Sequence, residues 1–253
     1  MGLSYKVSAD SSVHVLRNRP LAAVRALLQY LTCGTGLFIS PVTEYTYFLR
    51  SDRLPPQQLS DVENDASRPE NLPNLELAWI GGWGTAQEPT PNVGKEFGFN
   101  TILVLCARVE STGTITLVDR DARTLPLVDP NYFSDAADLD TLRKGIQYGL
   151  QLGQKIMEKD NKITPALVPE NNSPDAIDDF IRKYASGAYH LCSTCRMARR
   201  EDGGVVDQEL RVHGVQGLRV ADASIFPKCV IAKPQATVVM VAEKCADIIL
   251  NGM

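Results

Sequence analysis

The sequence predicts a mixed α/β fold of the α+β kind, with an antiparallel-rich sheet over residues 70–135 and helices packed against it. Three observations support this. Residues 75–80 and 101–108 are short runs rich in β-formers, and 113–118 alternates in the manner of a half-buried strand. Residues 137–158, 174–184 and 235–250 carry apolar side chains at helical spacing. A hydrophobic content of 44% over 253 residues is enough for a sizeable core.

In order along the chain, residues 3–16 read as one or two strands. Pro20 suits a first helical turn, Val24, Leu27, Leu28 and Leu31 follow at helical spacing, and Gly34 and Gly36 end that helix. The aromatic run Glu44-Tyr45-Thr46-Tyr47-Phe48 precedes a polar stretch, 51–71, with Pro55-Pro56 and five acids, which reads as a solvated loop. Gly81-Gly82-Trp83-Gly84 breaks the strand at 75–80, and 126–133 follows an Asp-Arg-Asp turn. The long helix 137–158 has Leu139, Leu142, Ile146, Leu150 and Leu152 as its main apolar positions, and Ser173 is placed to cap 174–184.

The last quarter, 189–253, organises the rest. His190 stands near its head, a Gly-Val-Gln-Gly turn feeds the short strand 218–220, and Asp222-Ala223-Ser224 follows. Pro234 then opens an amphipathic helix whose apolar stripe is Val238, Val241, Ala242, Cys245, Ile248 and Ile249. His14 and His213 have no evident partners.

Composition narrows the function. A net charge of −4 with scattered Lys and Arg argues against nucleic acid as a partner. No window reaches the roughly 18 apolar residues of a membrane span, and the first residues do not read as a signal peptide. Six unevenly spaced cysteines suit reduced thiols better than a disulfide framework. The expected location is the cytoplasm. Cys192 and Cys195 form a Cys-x-x-Cys, but no second ligand pair accompanies it, so no metal site is expected.

The segment His190-Leu-Cys-Ser-Thr-Cys-Arg-Met, the strand Gly217-Leu-Arg-Val-Ala-Asp-Ala-Ser and the helix start Lys233-Pro-Gln-Ala-Thr resemble the C-terminal signature of the glucose-methanol-choline (GMC) family of flavin oxidoreductases. Residues 111–132 resemble the sheet of that family's substrate-binding domain. The resemblance implies a GMC-type substrate-binding domain over 1–188 and a segment derived from the flavin domain over 189–253. It also implies that His190 is the acid/base for a substrate hydroxyl, and that Asp222, Ala223 and Gln235 occupy flavin-contact positions. Ser193 stands where the box usually has glycine, and Lys233 where the family has His or Asn. A charged lysine accepts no hydrogen bond, yet beside a helix N-terminus it is suited to stabilising an oxyanion.

The family's Gly-x-Gly-x-x-Gly turn has no counterpart: Gly34-Thr35-Gly36 follows a helix and lacks the third glycine. The chain therefore reads as starting where the flavin module would hand over, and no cofactor is expected unless a partner chain supplies FAD. Three functions follow as expectations. The first is a flavin-free isomerase or cyclase acting on a small organic metabolite through His190 and Lys233. The second is an FAD-dependent alcohol oxidase or dehydrogenase completed by a separate flavin-binding chain, and the third a non-catalytic binding protein. Tyr45, Tyr47, Trp79 and Trp83 are the candidate pocket aromatics. An uncovered apolar face on 189–253 predicts a homo-oligomer.

Overall fold

Leu3, Tyr5 and Val7 alternate along the first strand, β1 (Gly2–Ser8), and all three are buried in the computed structural model. The model describes residues 1–40, 43–55, 65, 67–84, 87–92 and 94–251. The elements that follow are α1 (His14–Asn18), α2 (Pro20–Cys33), β2 (Thr43–Leu49), β3 (Leu75–Ile80), β4 (Phe97–Cys106), β5 (Thr114–Thr116) and β6 (Leu127–Asp129). After them come α3 (Ala136–Lys159), β7 (Thr164–Leu167), α4 (Pro174–Tyr184) and α5 (Gln235–Asn251). Contacts divide the chain into two units: Met1–Cys106 with Leu139–Ser186, and Ala107–Asp138 with Gly187–Met253. The division at 188/189 read from the sequence is coarser, because 107–138 groups with the C-terminal unit.

In the first unit five antiparallel strands lie in the order β2-β3-β4-β1-β7. The fold class is as expected, but the sheet is not confined to 70–135. Its inner strand β1 pairs with β4 along its whole length, from Gly2↔Leu103 to Ser8↔Phe97. Residues 114–116 and 127–129, expected in that sheet, form a separate two-stranded ladder in the second unit. Residues 14–16, read as strand, are helical. Pairing with β4 ends at Ser8, and the Ser12 hydroxyl, 2.7 Å from the Phe99 carbonyl and 3.0 Å from that of Gly81, turns the chain into α1. β7 carried no signal that the sequence reading recognised; its four residues are mostly exposed at the sheet's edge.

Helix α3 lies on the face of the sheet that carries Leu3, Tyr5, Leu75, Ile102 and Val104. Its contact surface is not the leucine stripe alone. Leu142 and Ile146 are buried, whereas Leu139, Leu150 and Leu152 are only half-buried. Between them Gly145, Gly149 and Gly153 let the helix backbone approach the strands. A Cβ on Gly145 would lie 2.6 Å from Val104 Cγ1, and one on Gly149 2.7 Å from Leu3 Cδ1. A Cβ on Gly153 would collide with the Tyr5 hydroxyl and ring carbon Cζ.

Helix α4 begins as its sequence dictates: the Ser173 hydroxyl accepts from the Ala176 amide at 3.3 Å, and Pro174 opens the first turn. Ile177, Phe180, Ile181 and Tyr184 form its buried face. Arg143 of α3 grips Asp178 of α4 with two hydrogen bonds of 2.8 Å. The bond from Arg143 holds the Asp178 carboxyl below its ordinary pKa, so its contribution is present above the usual carboxylate range and is lost as pH falls through the folded value. Asp178→Asn is expected to lower stability by about 1 kcal/mol at neutral pH, since the pair is partly screened by solvent, and to erase part of the acid sensitivity below about pH 4. Denaturant titrations of both proteins at pH 7 and pH 3 measure this; equal stability losses on acidification would contradict it.

α2 ends at Gly34, which sits in the left-handed region with its amide bonded to the Tyr30 carbonyl at 2.9 Å. Its apolar stripe is not core, however. Only Ala26 is buried, while Val24, Leu27, Leu28 and Leu31 are exposed. The periodicity marks an apolar face that the described residues leave uncovered.

The second unit has its own core: Val206, Leu210, Ile225, Phe226 and Cys245, with Met197, Val230, Val238 and Val241 packed against it. The strand expected at 218–220 is one arm of a narrow hairpin, in which the Val212 amide donates to Leu218 and the Val220 amide to Leu210, both at 3.0 Å. Gly214 and Gly217 make its turn at φ 78° and 74°. Val238, Val241 and Cys245 of the expected α5 stripe pack on the core, whereas Ala242 and Ile249 are exposed. No helix among the described residues is long and apolar enough to cross a membrane.

Candidate functional site

The histidine box is built by backbone pairing rather than by an element of its own. Amides of Ser193, Cys195 and Met197 donate to the carbonyls of Ala223, Ser224 and Ile225 at 3.3, 2.9 and 2.8 Å. Ile225 and Phe226 anchor that second segment in the core. The Asp222 carboxylate accepts from the Ser224 amide at 2.8 Å and caps the short turn Ala223–Ile225. Its pKa is held below the ordinary value, first by the Ser224 side chain and then by that amide.

His190 is half-buried at the start of this strip, and its ring has no hydrogen-bond partner among the described residues. Neighbouring Tyr189 and Ser193 adopt φ 60° and 70°. The second value explains the glycine usual at that place in the box: the left-handed region suits a residue without a Cβ, and serine is strained there. Tyr189 and Leu191 are 86% and 79% exposed, so apolar surface flanks the histidine on both sides.

Lys233 is exposed immediately before α5. In the loop before it, burial first and then the neighbouring Cys192 push the Cys229 thiol up to about 11. The structure thus brings together the segments of His190, Asp222, Ala223, Lys233 and Gln235 within one unit. His213, with no evident partner in the sequence, is half-buried and anchored: its Nε2 lies 2.9 Å from the Ala198 carbonyl oxygen. His14 also has a partner, with its Nδ1 2.9 Å from Ser12 Oγ; burial, then Arg17, lowers its pKa.

The four aromatics belong to the other unit and are not gathered into one lining. Tyr45, Tyr47 and Trp79 lie on one face of the sheet by register, Tyr45 opposite Trp79 and Trp79 opposite Ile102. Tyr45 and Tyr47 are 61% and 63% exposed on the edge strand. Trp83 instead packs edge-on against Phe99, whose position in β4 points to the opposite face, and donates to the Glu88 carbonyl at 3.1 Å. A cavity of about 370 Å³ in the same unit, between residues 51–55 and α3, went unnoticed in the sequence. It is lined by polar groups such as Asp52, Gln147 and Gln151, and its Lys144 is paired with Asp140 at 2.7 Å. It offers no imidazole or thiol.

Among the described residues no group of three or more His, Cys, Asp or Glu side chains could hold a metal, and all six cysteines are free thiols. For a flavin dinucleotide, the chain offers the N-terminus of α5. The first bond there, Val238 amide to Pro234 carbonyl at 2.9 Å, leaves the amides of Gln235, Ala236 and Thr237 without partners inside the helix. Gly34, the nearest approach to a phosphate-binding turn, is engaged as a helix cap. These residues fit one wall of a flavin site and do not by themselves make the pyrophosphate cradle.

The chain thus joins an antiparallel sheet carrying helices to a histidine box held by backbone pairing. A family model described as GMC oxidoreductase matches residues 109–242, and the chain belongs to that family. It is 31% identical over 261 residues to "Dehydrogenase pkfF" of Emericella nidulans, covering 99% of this chain and 41% of the relative. It is 40% identical over 148 residues to choline oxidase of Arthrobacter globiformis, covering 56% of this chain and 27% of that one. Among solved structures, formate oxidase of Aspergillus oryzae superposes with a TM-score of 0.77 at 25% identity, over 98% of this chain and 45% of that one. The chain spans less than half the length of these relatives, and its sheet and helices have the fold of the GMC substrate-binding domain.

Proposed function

We propose that this chain supplies the substrate-side surface and the acid/base histidine of a GMC alcohol oxidoreductase, with the flavin carried on a complementary module. The observation that carries the reading is the pinned histidine box. Three backbone bonds fix the strip that follows His190, and its ring is left without a hydrogen-bond partner among the described residues. A neutral imidazole so placed takes the proton of a substrate hydroxyl as the carbon is oxidised. Backbone anchoring supplies the positional precision that such a transfer needs. The exposed apolar face of α2 gives the module a docking area. The names of the relatives, a dehydrogenase and two oxidases, agree with oxidation.

One observation favours a second reading. Lys233 stands at the N-terminus of α5 where the family has His or Asn, and a cation beside unpaired amides stabilises an oxyanion. In that reading His190 and Lys233 perform redox-neutral isomerisation or cyclisation without a flavin.

The cofactor test uses the chain alone. Purified protein mixed with FAD and passed through gel filtration is expected to emerge without visible flavin absorbance, because its own residues form only one wall of the site. Stoichiometric absorbance at the protein peak would overturn the assignment of the flavin to a separate module.

A further inference from the structure

The polar cavity beside α3 has two fixed walls. Lys144, Gln147, Tyr148 and Gln151 follow one another at i, i+3, i+4 and i+7, so one face of the helix lines it. An adjoining face of the same helix presses on the sheet through Gly145 and Gly149. The facing wall runs from Ser51 and Asp52 to Leu54 and Pro55. Asn74 ties the walls together. Its Oδ1 accepts from the Ser51 amide at 2.8 Å, and its Nδ2 donates to Ser51 Oγ at 2.9 Å and to Thr141 Oγ1 of α3 at 3.4 Å. The cavity is therefore pre-formed, and its volume of about 370 Å³ falls within the roughly 300–1,000 Å³ of small-molecule sites.

Its charges already have partners. Asp52 accepts from Arg50 Nε at 3.0 Å, and Lys144 Nζ lies 2.7 Å from an Asp140 carboxylate oxygen. What the lining leaves unused is neutral. The side-chain amides of Gln147 and Gln151 and the Tyr148 hydroxyl have no hydrogen-bond partner among the described residues.

We propose that this cavity binds an uncharged polyol, with its hydroxyls on Gln147, Gln151 and Tyr148 and its C–H bonds against Leu54 and Pro55. A hydroxyl both donates and accepts, and so do an amide and a phenol, so a ligand with several adjacent hydroxyls matches all three side chains. A monoalcohol leaves most of them unmatched, and an anion meets the Asp52 carboxylate. The lining carries no imidazole or thiol, so the ligand is held there and not transformed. All of these residues belong to the first unit and His190 to the second, and the proposal stands whether or not a flavin module completes the histidine site.

Titrating the purified, ¹⁵N-labelled chain with myo-inositol, inositol monophosphate and cyclohexanol tests this by NMR. Myo-inositol is expected to shift the side-chain amide signals of Gln147 and Gln151, and the other two compounds to shift them less. Gln147→Ala and Gln151→Ala are each expected to weaken myo-inositol binding about fivefold, the loss of about one net hydrogen bond, while alanine preserves the helix. In His190→Ala the binding is expected to persist. Glutamine amide signals that stay in place with myo-inositol, or move as far with inositol monophosphate, would overturn the proposal without recourse to any variant. Undiminished binding in both alanine variants, or its loss in His190→Ala, would overturn it as well.

Discussion

His190→Ala is expected to lower alcohol turnover of the reconstituted enzyme by roughly 10²–10⁴ while leaving the melting temperature unchanged, the loss typical of removing a general acid–base group. The stability half follows from the geometry. His190 is half-buried and its ring makes no hydrogen bond among the described residues, so its truncation removes no internal bond. The backbone that shapes the site is fixed from Ser193 onward. A loss of activity accompanied by equal unfolding would mark His190 as a packing residue. Lys233 separates the two readings of the site. Lys233→Met keeps the bulk of the stem and removes the charge; it should cost turnover only if an oxyanion develops beside α5, and Lys233→Arg would then be partly tolerated.

The second large effect belongs to the fold. Gly153→Ala, in the middle of a helix, would ordinarily stabilise by about 1 kcal/mol through helix propensity. Here the new methyl would occupy the space of the Tyr5 hydroxyl and ring edge, and Tyr5 is 3% exposed on the inner strand β1. The ring has no solvent-side space to retreat into. The same burial pushes the Tyr5 phenol up to about 12. Overpacking of this kind costs about 1–3 kcal/mol, so the net change is expected to be destabilising despite the better helix former. Urea denaturation measures it directly. Stabilisation would show that α3 does not press on β1 as described, whereas Gly34→Ala would be unfavourable for the separate reason of its left-handed backbone.

How far the sequence could be read depended on whether the relevant physics was local. Helix α4, with Ser173 as cap and Pro174 in its first turn, and α2, closed by Gly34, are dictated by residues within a turn of each other. Strand β3 was likewise delimited by its own apolar run and the glycines after it. Non-local facts were not legible. The pairing of residues 2–8 with 97–103 joins partners from 89 positions apart (Ser8↔Phe97) to 101 (Gly2↔Leu103), and no local pattern announces it. The glycines of α3 looked like interruptions of a leucine stripe because their role appears only when the strands are beside them. In the site, the histidine box and the Asp222 strand were recognisable as motifs. Their mutual pinning and the anchoring of His213 on Ala198 arise from tertiary pairing. The four aromatics failed to form a single lining because composition says nothing of sheet face: Trp79 and Trp83 are four residues apart, and only register shows that they serve opposite sides.

The exposed stripe of α2 poses the question that bears most on function. Leu21, Val24, Leu28 and Leu31, between 55% and 87% exposed, form a helix surface that is costly to leave in water. A second copy of the chain and a flavin-carrying module are the two covers to compare. The most direct measurement is gel filtration with visible absorbance, in which the chain is mixed with the FAD-loaded N-terminal portion of a GMC relative. The account predicts a one-to-one complex carrying flavin absorbance, with alcohol-dependent dye reduction that neither part shows alone. A chain that runs as a homodimer, stays colourless beside the flavin module and confers no turnover on it would contradict the central claim.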